Sequence, residues 1–470
     1  MRMKLAACAV VAACCVLYLN GLTGMGVVGP DEPRYAAIGE AMAQTGDWVT
    51  PALWGKPWFE KPALLYWMTG AGYRAGLGPE LAPRLPVALL SLLFLAFFWW
   101  RLRAEWNSRV ASCATVICGT AAGWLAYSHV AVTDLPMSVF FTVAVLLTLP
   151  WVQRGSTTGL WIAAACLGLA VLTKALVPLA LFLPVLAAGA ARQGWRRIGD
   201  WLRPAPMAAF IVVALPWYIL CTLRNGSEFP RVLFVDQQFA RLHSAGLQHV
   251  QPWWFYGPVL LLLLFPWFPL LGLLPGSLRL LWKDARIQAL GGVVVFGMLL
   301  FSAAVNKLPG YLLPLLPALC VLLALALAES RRAALWLVAT AAMIGLFPAM
   351  AAVVPAAMAG GLRAAAIPWG MVLLGVIFCG SAGALLAAKF ERKSFAVVAM
   401  AAAAGYLWFE ISALPALDRA ASARTVWRET RPVCGPPRAS RNLLYGLYYY
   451  AGKQLPDCTV LDLGATQVVR

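Results

Sequence analysis

The chain has 470 residues, of which 62% are apolar and 12% charged, and carries a formal net charge of +18. Soluble domains are about 45–50% apolar and about 25% charged, so the composition excludes a soluble globular enzyme and predicts an all-α polytopic membrane protein. Unbroken apolar runs such as Val259 to Phe265 exclude the alternation of a membrane β-barrel, and basic residues scattered between such runs, with no basic domain, exclude a nucleic-acid partner.

Thirteen apolar segments follow one another: Leu5 to Leu22, Leu85 to Trp100, Val110 to Tyr127, Leu135 to Val152, Leu160 to Leu172, Leu176 to Ala190, Ala205 to Leu223, Trp253 to Leu274, Ile287 to Phe301, Tyr311 to Leu327, Ala334 to Val354, Trp369 to Ala388 and Ala396 to Leu414. The fifth and sixth are short enough to be a broken or re-entrant pair. Too few residues precede Cys8 for a signal-peptide h-region, so the first segment is expected to stay as an uncleaved helix. With the N-terminus inside, Arg101, Arg103, Arg109, Arg154, Arg192, Arg196, Arg197, Arg203, Arg279, Lys283, Arg286, Arg331, Arg332, Lys389, Arg392 and Lys393 all fall in cytoplasmic loops. The opposite short loops carry only Lys174, Lys307 and Arg363.

This topology predicts a transmembrane domain over residues 1–417 and a small outer domain over 418–470. Two outer loops, 24–83 and 224–252, complete the outer face. Cys434 and Cys458, alone among the 11 cysteines, sit in polar sequence there and are expected to pair in an oxidising compartment.

The first outer loop holds the densest polar sequence: Asp31-Glu32-Pro33-Arg34-Tyr35, then Gly46-Asp47-Trp48, then Trp58-Phe59-Glu60-Lys61-Pro62. Ala36 to Ala43 predicts an amphipathic helix in the membrane interface, with Trp48, Trp54, Trp58 and Trp67 at headgroup depth. Asp134, Lys174 and Lys307 lie at the outer ends of apolar segments, where an ionisable group is costly unless paired or facing a cavity. Acidic and basic groups gathered on one face of the membrane predict a site for a charged headgroup.

Those three motifs, in that order, resemble the first outer loop of bacterial polyprenyl-phosphate glycosyltransferases of the GT-C fold, a superfamily that includes the undecaprenyl-phosphate aminoarabinose transferases of lipid A and the protein O-mannosyltransferases. Pro252-Trp253-Trp254-Phe255-Tyr256, Leu271-Gly272-Leu273-Leu274-Pro275-Gly276 and Lys307-Leu308-Pro309-Gly310-Tyr311 extend the resemblance. It implies thirteen helices, an outer C-terminal domain and residence in the bacterial inner membrane. It further implies transfer of a sugar from a polyprenyl phosphate to a periplasmic acceptor, lipid A or another glycan, lipid or protein. Asp31 matches the family's catalytic aspartate. Arg34, Tyr35, Lys61, Lys174, Arg241 and Tyr311 are expected at the donor phosphate, and Glu32, Trp58, Glu60, Asp134 and Lys307 around the cavity.

The chain departs from that pattern at two places. Trp58 replaces the tyrosine before Phe-Glu-Lys-Pro. The aminoarabinose transferases present a glutamate and a histidine to a metal; Glu60 matches the glutamate, but Gln238 stands at the histidine's place, with His243 displaced. The chemistry itself requires no cofactor. A lipid-linked sugar transporter would instead place ionisable residues near the bilayer midplane of two related halves, and a sensor would leave the Asp31 and Glu60-Lys61 motifs without a role.

Overall fold

The computed structural model describes residues 12–239, 250–389, 393–436 and 439–458. Among these, seven helices are long and apolar enough to cross a membrane, or up to ten if each of three bent pairs is one span. Two shorter apolar helices, Leu160–Lys174 and Val177–Gln193, are the fifth and sixth sequence segments. They stand as two separate helices. The sharpest break lies elsewhere, a 114° bend between Trp253–Leu264 and Phe268–Ser277.

The elements that build the outer face come first in the chain. Helix α1 (12–19) leads to α2 (Asp31–Thr45), a two-stranded hairpin of β1 (Ala52–Leu53) and β2 (Lys56–Pro57), α3 (Leu64–Arg74) and the long α4 (Leu81–Glu105). Helix α2 starts with Asp31 and Glu32 in its first turn, where the dipole favours negative charge, and stops at Gly46 in the left-handed region. Trp54 and Gly55, both with positive φ, form the two-residue hairpin turn.

Helix α2 was expected to rest in the membrane interface. Its apolar face is covered by protein instead: Tyr35, Ala36, Ile38 and Met42 are buried. Contact with α3 is close because Gly39 lacks a side chain; a Cβ there would meet the Thr69 hydroxyl at 1.9 Å. The tryptophans follow suit. Trp67 Nε1 donates to the Trp48 carbonyl at 2.8 Å, and Trp54 packs edge-on against Tyr448 at 5.2 Å.

After α5 (Ser108–Gly119), which is bent by 62° into α6 (Ala122–Ser128), helix α7 (Asp134–Arg154) is largely buried among its neighbours. It packs on α8 (Leu160–Lys174) and α9 (Val177–Gln193), and α8 packs on α10 (Pro204–Asn225). The last long helix, Ser394–Ala421, leads into the C-terminal segment. There, Cys434 and Cys458 form a disulfide on either side of a helix, Arg441–Ala451.

Candidate active site

Two clusters of charged side chains are candidates for the site. The first is built on the start of α2. Arg34 is 4% exposed; its Nε donates to the Pro30 carbonyl at 2.8 Å and its Nη1 to Glu60 Oε2 at 2.7 Å, while Nη2 pairs with Asp31. Asp31 and Arg34 meet because they are one helical turn apart. Glu60 arrives from the loop before α3, pinned by its neighbour Phe59, which packs on Phe229 at 5.3 Å. Lys61 Nζ lies 3.3 Å from Glu60 Oε1. Burial opposes the charge on Arg34, yet Glu60, Tyr35 and Asp31 outweigh it and hold the guanidinium above its already high ordinary pKa.

Aromatic rings wall this cluster. The Arg34 guanidinium lies 5.5 Å from the Trp58 ring, 5.9 Å from Tyr35 and 5.3 Å from Tyr445. Tyr35 and Tyr66 are tilted against each other at 5.8 Å. Burial pushes both phenols well above their usual pKa, with the Asp31 and Glu60 charges adding to it. Tyr35 Oη, Tyr66 Oη and Trp58 Nε1 are buried without a hydrogen-bond partner among the described residues. Orphaned buried donors are uncommon, so three around one ion cluster mark a place where ligand or water oxygens belong.

The second cluster joins the ends of three elements. Asp134 at the start of α7 accepts from Lys174 Nζ, at the end of α8, at 2.6 Å. That ammonium lies 4.5 Å from the ring of Tyr311. Gly310 brings its backbone so close that a Cβ would meet Asp134 Oδ1 at 2.6 Å and the Tyr127 hydroxyl at 2.7 Å.

Asp31, Arg34, Tyr35, Trp58, Glu60 and Lys61 are therefore brought together, as are Asp134, Lys174 and Tyr311. Glu32, expected at the cavity, is placed otherwise. It is fully buried, takes Arg84 Nε at 2.7 Å and Nη2 at 2.8 Å, and accepts the backbone N–H of Val28 and Ala131. Its carboxylate holds α2, α4 and the turn before α7 in register. Lys307 is likewise engaged with carbonyls, those of Gln251 at 2.9 Å and Ala304 at 2.5 Å. Arg241 and His243, and the side chain of Gln238, lie outside the described residues.

The metal implied by the resemblance does not fit the residues around Glu60. One of its oxygens faces a guanidinium and the other an ammonium. Among the described residues no three His, Cys, Asp or Glu side chains come together to hold a metal.

Three further residues escaped the motif reading. Tyr66 and Tyr127 stand in sequence as ordinary loop-edge and helix-end tyrosines, and only their burial beside carboxylates distinguishes them. Tyr445 lies in the C-terminal segment, where no spacing links it to Arg34.

Comparisons with known proteins place the chain in a family. The family model of dolichyl-phosphate-mannose-protein mannosyltransferases matches residues 3–225. An undecaprenyl phosphate-α-4-amino-4-deoxy-L-arabinose arabinosyl transferase of Pseudomonas fluorescens is 33% identical over 329 residues, which are 67% of this chain and 54% of that protein. The corresponding enzyme of Serratia proteamaculans is 34% identical over 337 residues, 68% of this chain and 58% of its own length. The chain thus spans little more than half the length of these curated relatives. The crystal structure of ArnT from Cupriavidus metallidurans bound to undecaprenyl phosphate shares the fold, with a TM-score of 0.72 at 24% identity, covering 95% of this chain and 88% of that one. Mostly helical and built from several apolar spans, the chain belongs to the GT-C superfamily of polyprenyl-phosphate glycosyltransferases.

Proposed function

We propose that this protein is an inner-membrane, inverting glycosyltransferase that moves 4-amino-4-deoxy-L-arabinose from undecaprenyl phosphate to a phosphate of lipid A on the periplasmic side. The relatives' names supply the sugar and the carrier. The reading rests on one observation above all, the ion cluster of Asp31, Arg34, Glu60 and Lys61 walled by donors that have no hydrogen-bond partner among the described residues. In the same reading the chain crosses the membrane thirteen times, with its N-terminus in the cytoplasm and its C-terminal segment outside.

The proposed reaction forms a bond from an acceptor oxygen to the anomeric carbon while the bond from that carbon to the carrier phosphate breaks. Positive charge grows on the sugar and negative charge on the leaving phosphate. Asp31, whose side chain is 35% exposed, faces the reacting centre and orients the acceptor or stabilises the sugar's positive charge. A phosphate acceptor is already an anion and needs no strong base. Arg34 uses one N–H each on Pro30, Asp31 and Glu60; a guanidinium has five such donors, so part of its fork remains for phosphate oxygens. Lys61 and Lys174, each paired with a carboxylate, are largely buried, where an ammonium that donates to a phosphate oxygen counts most toward leaving-group stabilisation. Tyr35, Tyr66 and Tyr311 donate to oxygens of the same substrates. In this scheme Trp58 stacks over Arg34 where relatives of the family carry tyrosine.

The test is a mass spectrum of lipid A from a strain that makes the aminoarabinose donor but lacks its own transferase, with and without this protein. The expected result is a mass increase on the phosphates that disappears in Asp31→Asn. No increase from a well-inserted protein would overturn the sugar and acceptor and turn the search to other polyprenyl-linked sugars.

A further inference from the structure

We infer that Tyr445 is a positioning residue of the transfer site, so that the C-terminal helix Arg441–Ala451 is a working part of that site; this rests on the function proposed above. Of the three rings around the Arg34 guanidinium, Trp58 and Tyr35 belong to the first loop. Tyr445 is the nearest, at 5.3 Å, and comes from the far end of the chain. It lies well beyond the residues that the family model matches.

The helix is held for this purpose at several points. Tyr449, one turn after Tyr445, donates to the Pro79 carbonyl at 2.6 Å and meets the Tyr73 hydroxyl. Tyr450 bonds Glu80 at 3.2 Å and accepts the Val27 N–H at 3.1 Å. Trp54, at the tip of the β1–β2 hairpin, packs against both Tyr445 and Tyr448. Ser440 caps the helix start, Gly452 ends it in the left-handed region, and the Cys434–Cys458 disulfide closes the chain around it. Arg441 Nε donates to Tyr445 Oη at 3.3 Å, and its guanidinium lies 5.3 Å from the same ring.

The physical consequence concerns Arg34. Arg34 bonds the Pro30 carbonyl, Asp31 and Glu60 at once, and these hydrogen bonds hold the guanidinium by its edge and not by its faces. An aromatic face against the guanidinium favours one plane and keeps water off it, and such contacts are strongest when desolvated. Tyr445 therefore fixes the plane in which Arg34 presents its remaining N–H groups, and it acts through Arg34 rather than on substrate.

The full chain in lipid nanodiscs, with undecaprenyl-phosphate aminoarabinose as donor and lipid A as acceptor, tests this. Tyr445→Phe keeps the ring and is expected within about twofold of wild-type kcat/KM, whereas Tyr445→Ala loses about 10- to 30-fold. In an Arg34→Lys background, which lacks the planar fork, removing Tyr445 is expected to cost less than about threefold. An unchanged Tyr445→Ala, an equal loss in Tyr445→Phe, or the same loss in both backgrounds overturns the role. A wild-type chain that transfers nothing would sink the proposed reaction instead. Native mass spectrometry of undecaprenyl phosphate binding then decides for Tyr445: about tenfold weaker binding in Tyr445→Ala supports the inference, and equal binding overturns it.

Discussion

Within the first loop, consecutive residues carry opposite duties. Asp31 is partly exposed at the helix start, while Glu32 beside it is sealed against Arg84. Two variants separate these duties. Asp31→Asn, like Lys61→Ala, is expected to lower transfer by at least about 100-fold while membrane insertion and thermal stability stay near wild type; near-normal turnover in either removes that residue from the mechanism. Glu32→Gln leaves a buried guanidinium without its counter-charge, a change that costs about 3–5 kcal/mol. It should therefore appear first as a lower melting temperature in detergent, and an unaltered melt would contradict the structural role. The buried phenols set an alkaline limit. Burial raises the pKa of Tyr35, Tyr66 and Tyr449 well above the ordinary value. Above about pH 10, the free phenol value, the unfolded chain releases protons that the folded chain keeps, so stability falls as pH rises. Thermal melts should be flat between about pH 7 and pH 9 and drop beyond about pH 10; a flat profile through pH 11 would contradict it.

Secondary elements set distances that side chains alone do not. The pair of Asp134 and Lys174 is assembled from the start of α7 and the end of α8, two antiparallel neighbours, with the Gly310 backbone laid across it. Gly310→Ala introduces a Cβ into the space of the Asp134 carboxylate and the Tyr127 hydroxyl. It is expected to lower transfer about tenfold or more through displaced reacting groups, with little change in the amount of inserted protein; wild-type rates would show that the pair tolerates being moved. At this scale the sequence was legible where period and charge suffice. The long apolar helices between Leu81 and Ala421 overlap the predicted apolar segments, three of which are bent pairs of helices, and the Phe59-Glu60-Lys61 motif indeed meets Arg34. What covers α2 was not legible, because an amphipathic pattern records that a face is apolar without recording whether lipid or protein meets it. Here protein does, through the close approach at Gly39 and through Tyr449 and Tyr450 of the C-terminal helix.

Across the whole molecule, the first loop and the C-terminal segment close on each other at one end of the helix bundle. Arg424 adds to this by donating to the carbonyls of Thr23 and Gly24 at 2.7 and 2.8 Å while pairing with Asp418. Thirteen crossings would put that assembly in the periplasm. A reporter enzyme fused to the C-terminus should then be active only outside the cytoplasmic membrane, and a cytoplasmic C-terminus would overturn the count. Composition and the spacing of apolar runs determined by themselves that this is a helical membrane protein, since burial in lipid leaves few other solutions for such a chain. The motifs of the first loop likewise predicted a charged cluster, and Asp31, Arg34, Glu60 and Lys61 do come together. Only the tertiary structure decided that Glu32 is a strut, that Asp134 and Lys174 neutralise each other, and that Tyr445 reaches Arg34. Those outcomes depend on which atoms of distant segments come within a few ångströms, and hydropathy and local spacing carry no record of that.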